Sequence, residues 1–300
     1  MPSDPTVGDR AADLPFIDFL VIGAPKAGTT WAWQYLDNNP GFFVPGAKDT
    51  YYFDRHYGRG SRWYRSHFAD ARPGQLVGEV CHDYMYDTRA IDRIVHDVPD
   101  TSPIIVILRE PVSRALSQAR YGYLMAHISA LTPDAVVAED PECIRRSRYE
   151  QFVPTLIDRF GDRLCILLYE DLVADPLGFA KQLAEACSAG LVGHGTTTLP
   201  GVVNPAARPR SVAVMRMLRV VVDQLDRVGQ RRLIGAVKAS PLRRLLFGIG
   251  PRGHDNPSPD LGALRARLAS ELGDSLAAAT DVVARHRPTV RNTWTEGSGP

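Results

Sequence analysis

Apolar residues fall into short unbroken runs, separated by stretches with helical spacing. Phe16 to Gly23 is apolar except for Asp18 and ends in glycine, the pattern of a buried strand. From Thr29 to Asn38, Trp31, Tyr35 and Leu36 recur at helical spacing, and Pro40-Gly41 closes the segment. Residues 42–75 have many aromatics and arginines but no period, which predicts loops and short helices. Leu76 to Val80 reads as a short strand. Thr88 to Val98 reads as a helix with Ile91, Ile94 and Val95 on one face. Pro103 to Leu108 is the clearest strand, apolar enough to be covered on both faces. Pro111 then suits a first helical turn, and Val112 to Met125 continues the helix. Tyr149 to Phe160 is an amphipathic helix ended by Gly161, Leu164 to Leu168 a buried strand, and Asp175 to Ala189 a further helix.

Strands alternating with helices predict βαβ units: an α/β fold of three layers, a central parallel sheet flanked by helices. Residues 1–14 read as a flexible tail, and 15–300 as one domain. Its core spans about 16–220. A helical lid or extension spans about 221–300, with a helix over 212–222, an irregular stretch over 248–260 and a helix over 261–286. A parallel sheet of this kind binds ligands at the carboxyl ends of its strands. The turns after Gly23 and after Leu108 sit there, and they carry the chemistry.

Composition changes little. An apolar share of 44% with 23% charged residues is ordinary for a globular chain. A net charge of +1 gives no general pull toward nucleic acid. The four cysteines, Cys81, Cys143, Cys165 and Cys187, are scattered with no C-x-x-C pair, which argues against a disulfide framework or a zinc site. No segment has the pattern of a leader or the length of a membrane span, so the expectation is a soluble cytoplasmic protein. Residues 208–252 are rich in arginine alternating with apolar positions, a helical lid or else a surface that meets lipid head groups.

Gly23-Ala24-Pro25-Lys26-Ala27-Gly28-Thr29-Thr30 follows a strand and opens a helix. Free backbone N–H groups and the positive end of the helix dipole make such a turn an anion site. The spacing nearly matches the nucleoside-triphosphate loop G-x-x-x-x-G-K-[ST], but position 29 is threonine and the lysine is Lys26, inside the loop. The strand Ile104 to Leu108 ends in Arg109, where a magnesium-dependent kinase needs a carboxylate. In Arg109-Glu110-Pro111-Val112-Ser113-Arg114-Ala115-Leu116-Ser117, the Arg109 guanidinium and the Ser117 hydroxyl can converge on one phosphate.

Together, P-K-A-G-T-T-W and R-E-P-V-S-R-A-L-S resemble the two nucleotide motifs of sulfotransferases that use 3′-phosphoadenosine 5′-phosphosulfate (PAPS). Lys48 to Arg55, Gly60, Trp63-Tyr64-Arg65, Gly78-Glu79 with Tyr84, and Tyr169 to Leu172 with Asp175-Pro176 are similar to the heparan-sulfate and related bacterial branch. The resemblance covers about residues 16–220. It implies a P-loop-like fold and transfer of a sulfuryl group from PAPS, without metal, to a hydroxyl of a small-molecule, glycan or lipid-linked acceptor. The product is 3′,5′-bisphosphoadenosine, and the setting implied is bacterial secondary metabolism. A P-loop kinase or a non-catalytic nucleotide-binding protein is the alternative.

By this resemblance Lys26, Ala27, Gly28, Thr29, Thr30 and Trp31 hold the 5′-phosphosulfate, Arg109 and Ser117 hold the 3′-phosphate, and Arg210 with Arg208 closes over the adenosine. Lys26 also neutralises the transferring group. The general base falls at Asp49, where the branch carries a glutamate; His82 and His127 compete for the role. Val80 replaces a lysine of the polysaccharide-acting members, which argues against a highly anionic glycan. The aromatics Tyr51, Tyr52, Tyr57 and Trp63 hint at a ring-bearing or hydrophobic acceptor.

Overall fold

The structure is a computed structural model and describes residues 16–125, 127–188, 199–200, 261–286 and 294. The expected loop at 190–198 and 201–210, the helix over 212–222, the tail 1–14, Arg208 and Arg210 lie outside the described residues. The chain divides into two compact units: Met1–Glu110, Tyr149–Gly201 and Ala278–Pro300 form one, Pro111–Arg148 and Val202–Ala277 the other.

The first unit is built on five parallel strands, β1 (Phe19–Gly23), β2 (Phe42–Phe43), β3 (Leu76–Val80), β4 (Ile104–Leu108) and β5 (Leu164–Leu168). Every residue of β1 and β4 is buried, the burial that an all-apolar strand requires when both sheet faces are covered. The strand order is β2-β3-β1-β4-β5. The chain leaves β1 toward β2 and β3, then crosses back to β4 and β5. The order therefore reverses between β1 and β4, and their connections diverge at the carboxyl ends, which is where open α/β sheets leave a crevice for ligand.

Among the described residues the α-helices are α1 (Thr29–Asp37), α2 (Gly60–Arg65), α3 (Thr88–Asp97), α4 (Pro111–Leu124), α5 (Pro133–Glu139), α6 (Glu142–Arg145), α7 (Val153–Phe160), α8 (Tyr169–Ala174), α9 (Pro176–Cys187) and α10 (Leu261–His286). Caps explain several boundaries. The Asp87 carboxylate accepts from Arg89 N–H at the start of α3, and Asp175 accepts from Gly178 N–H at the start of α9, where Pro176 occupies the first turn. The expected single helix over 149–160 is instead a short turn at Tyr149–Gln151 followed by α7. Pro154 lies in the first turn of α7, where its missing N–H costs nothing; deeper in a helix that N–H would be needed, so α7 starts beside it.

In the second unit, Leu264, Leu268 and Leu272, four residues apart along α10, pack with Val112, Ala115, Ala119, Ile128, Val136 and Cys143. Arg114 is fully buried there. Its guanidinium donates to Ser147 Oγ (2.7 Å), Gln118 Oε1 (2.9 Å) and the Cys143 carbonyl (2.6 Å), so this arginine of the second motif is structural. Among the described residues no helix is long and apolar enough to cross a membrane.

Candidate functional site

The turn from β1 into α1 has two residues in the left-handed region, Lys26 (φ 68°) and Gly28 (φ 90°). Gly28 is required twice over. Its φ suits only glycine without strain, and a Cβ there would come 3.0 Å from the Tyr169 ring and 3.1 Å from Leu172. Gly28 is the N-cap of α1, and no side chain caps that helix. Its first N–H groups therefore have no intrahelical or capping side-chain partner, and the end of the helix dipole is positive.

Arg109 follows β4 across the strand reversal. Its Nη1–H donates to the Lys26 carbonyl at 3.2 Å, and its guanidinium carbon lies 4.4 Å from the centre of the Tyr169 ring. Its Nε is buried with no hydrogen-bond partner. A buried guanidinium N–H without an acceptor is costly, and an anionic oxygen at this turn would relieve it. The lysine-bearing turn and the arginine are thus joined directly at the carboxyl ends of β1 and β4.

Trp31, expected to hold the donor, is a core residue. It is 7% exposed, stacks on Tyr35 with centroids 5.6 Å apart, meets Phe179 edge-on, and donates Nε1–H to the Pro200 carbonyl. Ala27 is buried, and its N–H already donates to the Ala24 carbonyl at 3.3 Å. Thr29 is buried in the first turn of α1 and Thr30 is half-buried beside it. In the second unit, Ser117 is half-buried on α4 and His127 is exposed just beyond that helix. What the motifs imply for these two residues stays a matter of resemblance.

A second cluster hangs from the end of β3. Asp49 (φ 66°) and Tyr51 (φ 55°) are both left-handed, with Thr50 between them. Two non-glycine residues in that region are strained and need tertiary support. Glu79 gives it. It is 1% exposed, and its Oε1 accepts from both Thr50 N–H (3.0 Å) and Thr50 Oγ1 (2.5 Å). Tyr64 donates to Oε2 at 2.7 Å, and the Tyr84 hydroxyl sits 3.2 Å from both oxygens. Burial pushes the Glu79 carboxyl up to about 7, although these donors pull the other way. The sequence marked Glu79 and Tyr84 only as part of a shared segment. Their partner Thr50 left no signal.

The Asp49 carboxylate accepts from Lys48 Nζ at 2.7 Å to each oxygen, from His82 Nδ1 at 2.7 Å and from the His82 N–H at 3.1 Å. Burial alone would raise the Asp49 carboxyl, but the His82 hydrogen bond and the charges of His82 and Lys48 outweigh it and hold it well below the usual range. Nδ1 of the imidazole faces both the Asp49 carboxylate, which only accepts, and the Lys48 ammonium, which only donates. Lys48 Nζ lies 2.9 Å from the same nitrogen. His82 Nε2 lies 3.5 Å from Asp83 Oδ1, longer than a good hydrogen bond. Burial, then the charges of Asp49 and Asp83, push the Tyr51 phenol far up, so it stays protonated. Val80 is buried and its carbonyl accepts from Asp49 N–H. Tyr52, offered above as a contact for the acceptor, is buried and stacked on Tyr64 at 4.3 Å, part of an aromatic core. Tyr57 and Trp63 are half-buried.

The fold is similar to that of a sulfotransferase from Alicyclobacillus acidocaldarius, with a TM-score of 0.52 and 22% identity, over 61% of this chain and 83% of that one. In sequence, the chain is 32% identical over 107 residues to the membrane-associated sulfotransferase kil1 of Dictyostelium discoideum, which is 35% of this chain and 22% of that protein. It is 34% identical over 102 residues to human heparan sulfate glucosamine 3-O-sulfotransferase 6, 34% of this chain and 29% of that protein. The chain thus spans less than a third of the length of these relatives. No family model matches it. In its fold, and in this shared stretch of sequence, the chain resembles sulfotransferases, the heparan-sulfate branch among them.

Proposed function

We propose that the chain transfers a sulfuryl group from PAPS to an acceptor hydroxyl by in-line displacement, releasing 3′,5′-bisphosphoadenosine. The observation that carries this reading is the joined turn: an uncapped α1 with Lys26 inside its entry loop, tied by Arg109 whose Nε is buried without a partner. That arrangement fits a ligand with phosphate-like anions. The first N–H groups of α1 and the Thr29 and Thr30 hydroxyls bind the 5′-phosphosulfate, and Lys26 neutralises charge on the departing oxygen. Arg109 binds a phosphate oxygen through the buried N–H. Ser117, Arg208 and Arg210 keep the nucleotide roles that their motifs imply.

For the proton, the geometry favours His82 over Asp49. A carboxylate held as low as Asp49 is a weak base. It serves better as the partner that orients the imidazole and stabilises its cation, leaving Nε2 to accept the hydroxyl proton. The half-buried Tyr57 and Trp63, with Val80 in place of a lysine, favour a small or lipid-linked acceptor over a highly anionic glycan.

Calorimetry with 3′,5′-bisphosphoadenosine, followed by an acceptor screen with labelled PAPS, tests the reading. Bisphosphoadenosine should bind without magnesium, and Lys26→Ala should lower turnover on the order of a hundredfold or more while leaving the fold intact. Tighter binding of ATP with magnesium would replace the proposal with the kinase reading. Binding without transfer to any acceptor class would favour a non-catalytic nucleotide-binding protein.

A further inference from the structure

Trp294, the described residue beyond α10, reaches the turn that leaves β4. Trp294 is 3% exposed and donates its Nε1–H to Glu170 Oε2 at 2.8 Å. The other oxygen of the same carboxylate accepts from Glu110 N–H at 3.0 Å. The indole also stacks on Tyr149, with centroids 6.1 Å apart and planes 29° apart. The Tyr149 hydroxyl lies 3.4 Å from the backbone nitrogen of Arg109. Tyr169, next to Glu170, carries the Arg109 guanidinium over its ring and bounds Gly28. Trp294 therefore touches, through Glu170 and Tyr149, both residues of the turn that leaves β4.

A carboxylate bound at one oxygen to a backbone N–H keeps freedom to rotate about its last bond. A second donor on the other oxygen removes it. The stacked ring meanwhile fixes the Tyr149 phenol from behind. Both constraints act on Arg109, which reaches the Lys26 carbonyl across the strand reversal. Nothing in the local sequence of β4 supplies them. They come from a residue 124 positions after Glu170.

We infer that Trp294 is a positioning residue for the donor site: its indole holds Glu170 and Tyr149 so that Arg109 is set for the phosphate. The inference rests on the donor reading above. The test uses Trp294→Phe in the full chain, because phenylalanine keeps the stack on Tyr149 and loses the N–H. The dissociation constant for bisphosphoadenosine and the KM for PAPS should each rise about five- to tenfold, as expected when one ordinary hydrogen bond that positions the site is lost. The KM for the acceptor and the thermal midpoint should stay close to wild type, which a merely structural tryptophan would not predict. Glu170→Gln, which keeps one accepting oxygen, should give the same pattern and replaces the first variant if that one fails to fold. If both variants bind bisphosphoadenosine like wild type while Arg109→Ala weakens it, the positioning role is wrong and the donor reading stands. If wild type itself does not bind bisphosphoadenosine, both fall together.

Discussion

Replacing Glu79 with glutamine removes one ionisable group and almost no volume, and its effect on stability should depend on pH. Glu79 is buried, with its carboxyl raised from an ordinary 4.5 to about 7. In the window between those values the folded protein holds a proton that the unfolded chain releases. Stability from this group therefore falls as pH rises through the window. The size follows from the move from 4.5 to about 7: at about 1.4 kcal/mol per pH step, roughly 3.5 kcal/mol is lost between pH 4.5 and a pH well above 7. Glutamine has no such slope. Its carbonyl can accept from Thr50, and its amide can donate to the Tyr64 and Tyr84 hydroxyls, which turn to accept. Urea unfolding of both proteins from pH 5 to pH 8.5 measures the difference directly. Wild type should be equal or more stable at pH 5, and Glu79→Gln should gain on it by roughly 2.5 kcal/mol by pH 8.5. A stability gap that stays constant over that range refutes a buried carboxyl titrating near neutrality.

Other changes have equally definite outcomes. Gly28→Ala puts a Cβ against Tyr169 and Leu172 at positive φ and should cost about 1–3 kcal/mol in chemical unfolding while weakening bisphosphoadenosine binding. Arg114→Met removes a fully buried guanidinium from three acceptors and should destabilise by about 3 kcal/mol or more, with the loss read from urea midpoints. The Asp49 carboxyl is held low in the folded state, so its ion pairs stabilise above about pH 4 and that contribution disappears in acid. The stability gap between wild type and Asp49→Asn should accordingly close as pH is lowered. In turnover, His82→Gln should lose more than Asp49→Asn if the imidazole takes the proton. The reverse order in a PAPS-driven assay would return the base to Asp49.

The sequence made the skeleton readable where burial is uniform. β4 is apolar at every position, so neither the strand nor its arginine terminus could be mistaken. The turn into α1 was readable because glycine and a displaced lysine are tied to local backbone demands. Contacts between distant residues were not. Thr50 meets Glu79 across 29 positions, and no periodicity reports that. Trp31 falls inside the stretch that resembles the first nucleotide motif, and Tyr52 inside the aromatic stretch that follows, and neither stretch reports how its ring packs. In the fold Phe179 and Tyr35 surround the first ring and Tyr64 faces the second. Helices as short as α6 and α8 hold too few turns to show a period at all.

The position of β1 in the middle of the sheet has a practical corollary. One neighbour, β4, leads to the residues assigned to the donor; the other, β3, leads to Glu79, His82 and the strained Asp49 turn. On the function proposed here, sulfur delivery and the handling of the acceptor would hang on opposite flanks of a single strand. Randomising the residues after β3 should retune which hydroxyl is used and leave nucleotide affinity alone, so an evolution campaign could hold one half of the catalyst fixed while rewriting the other.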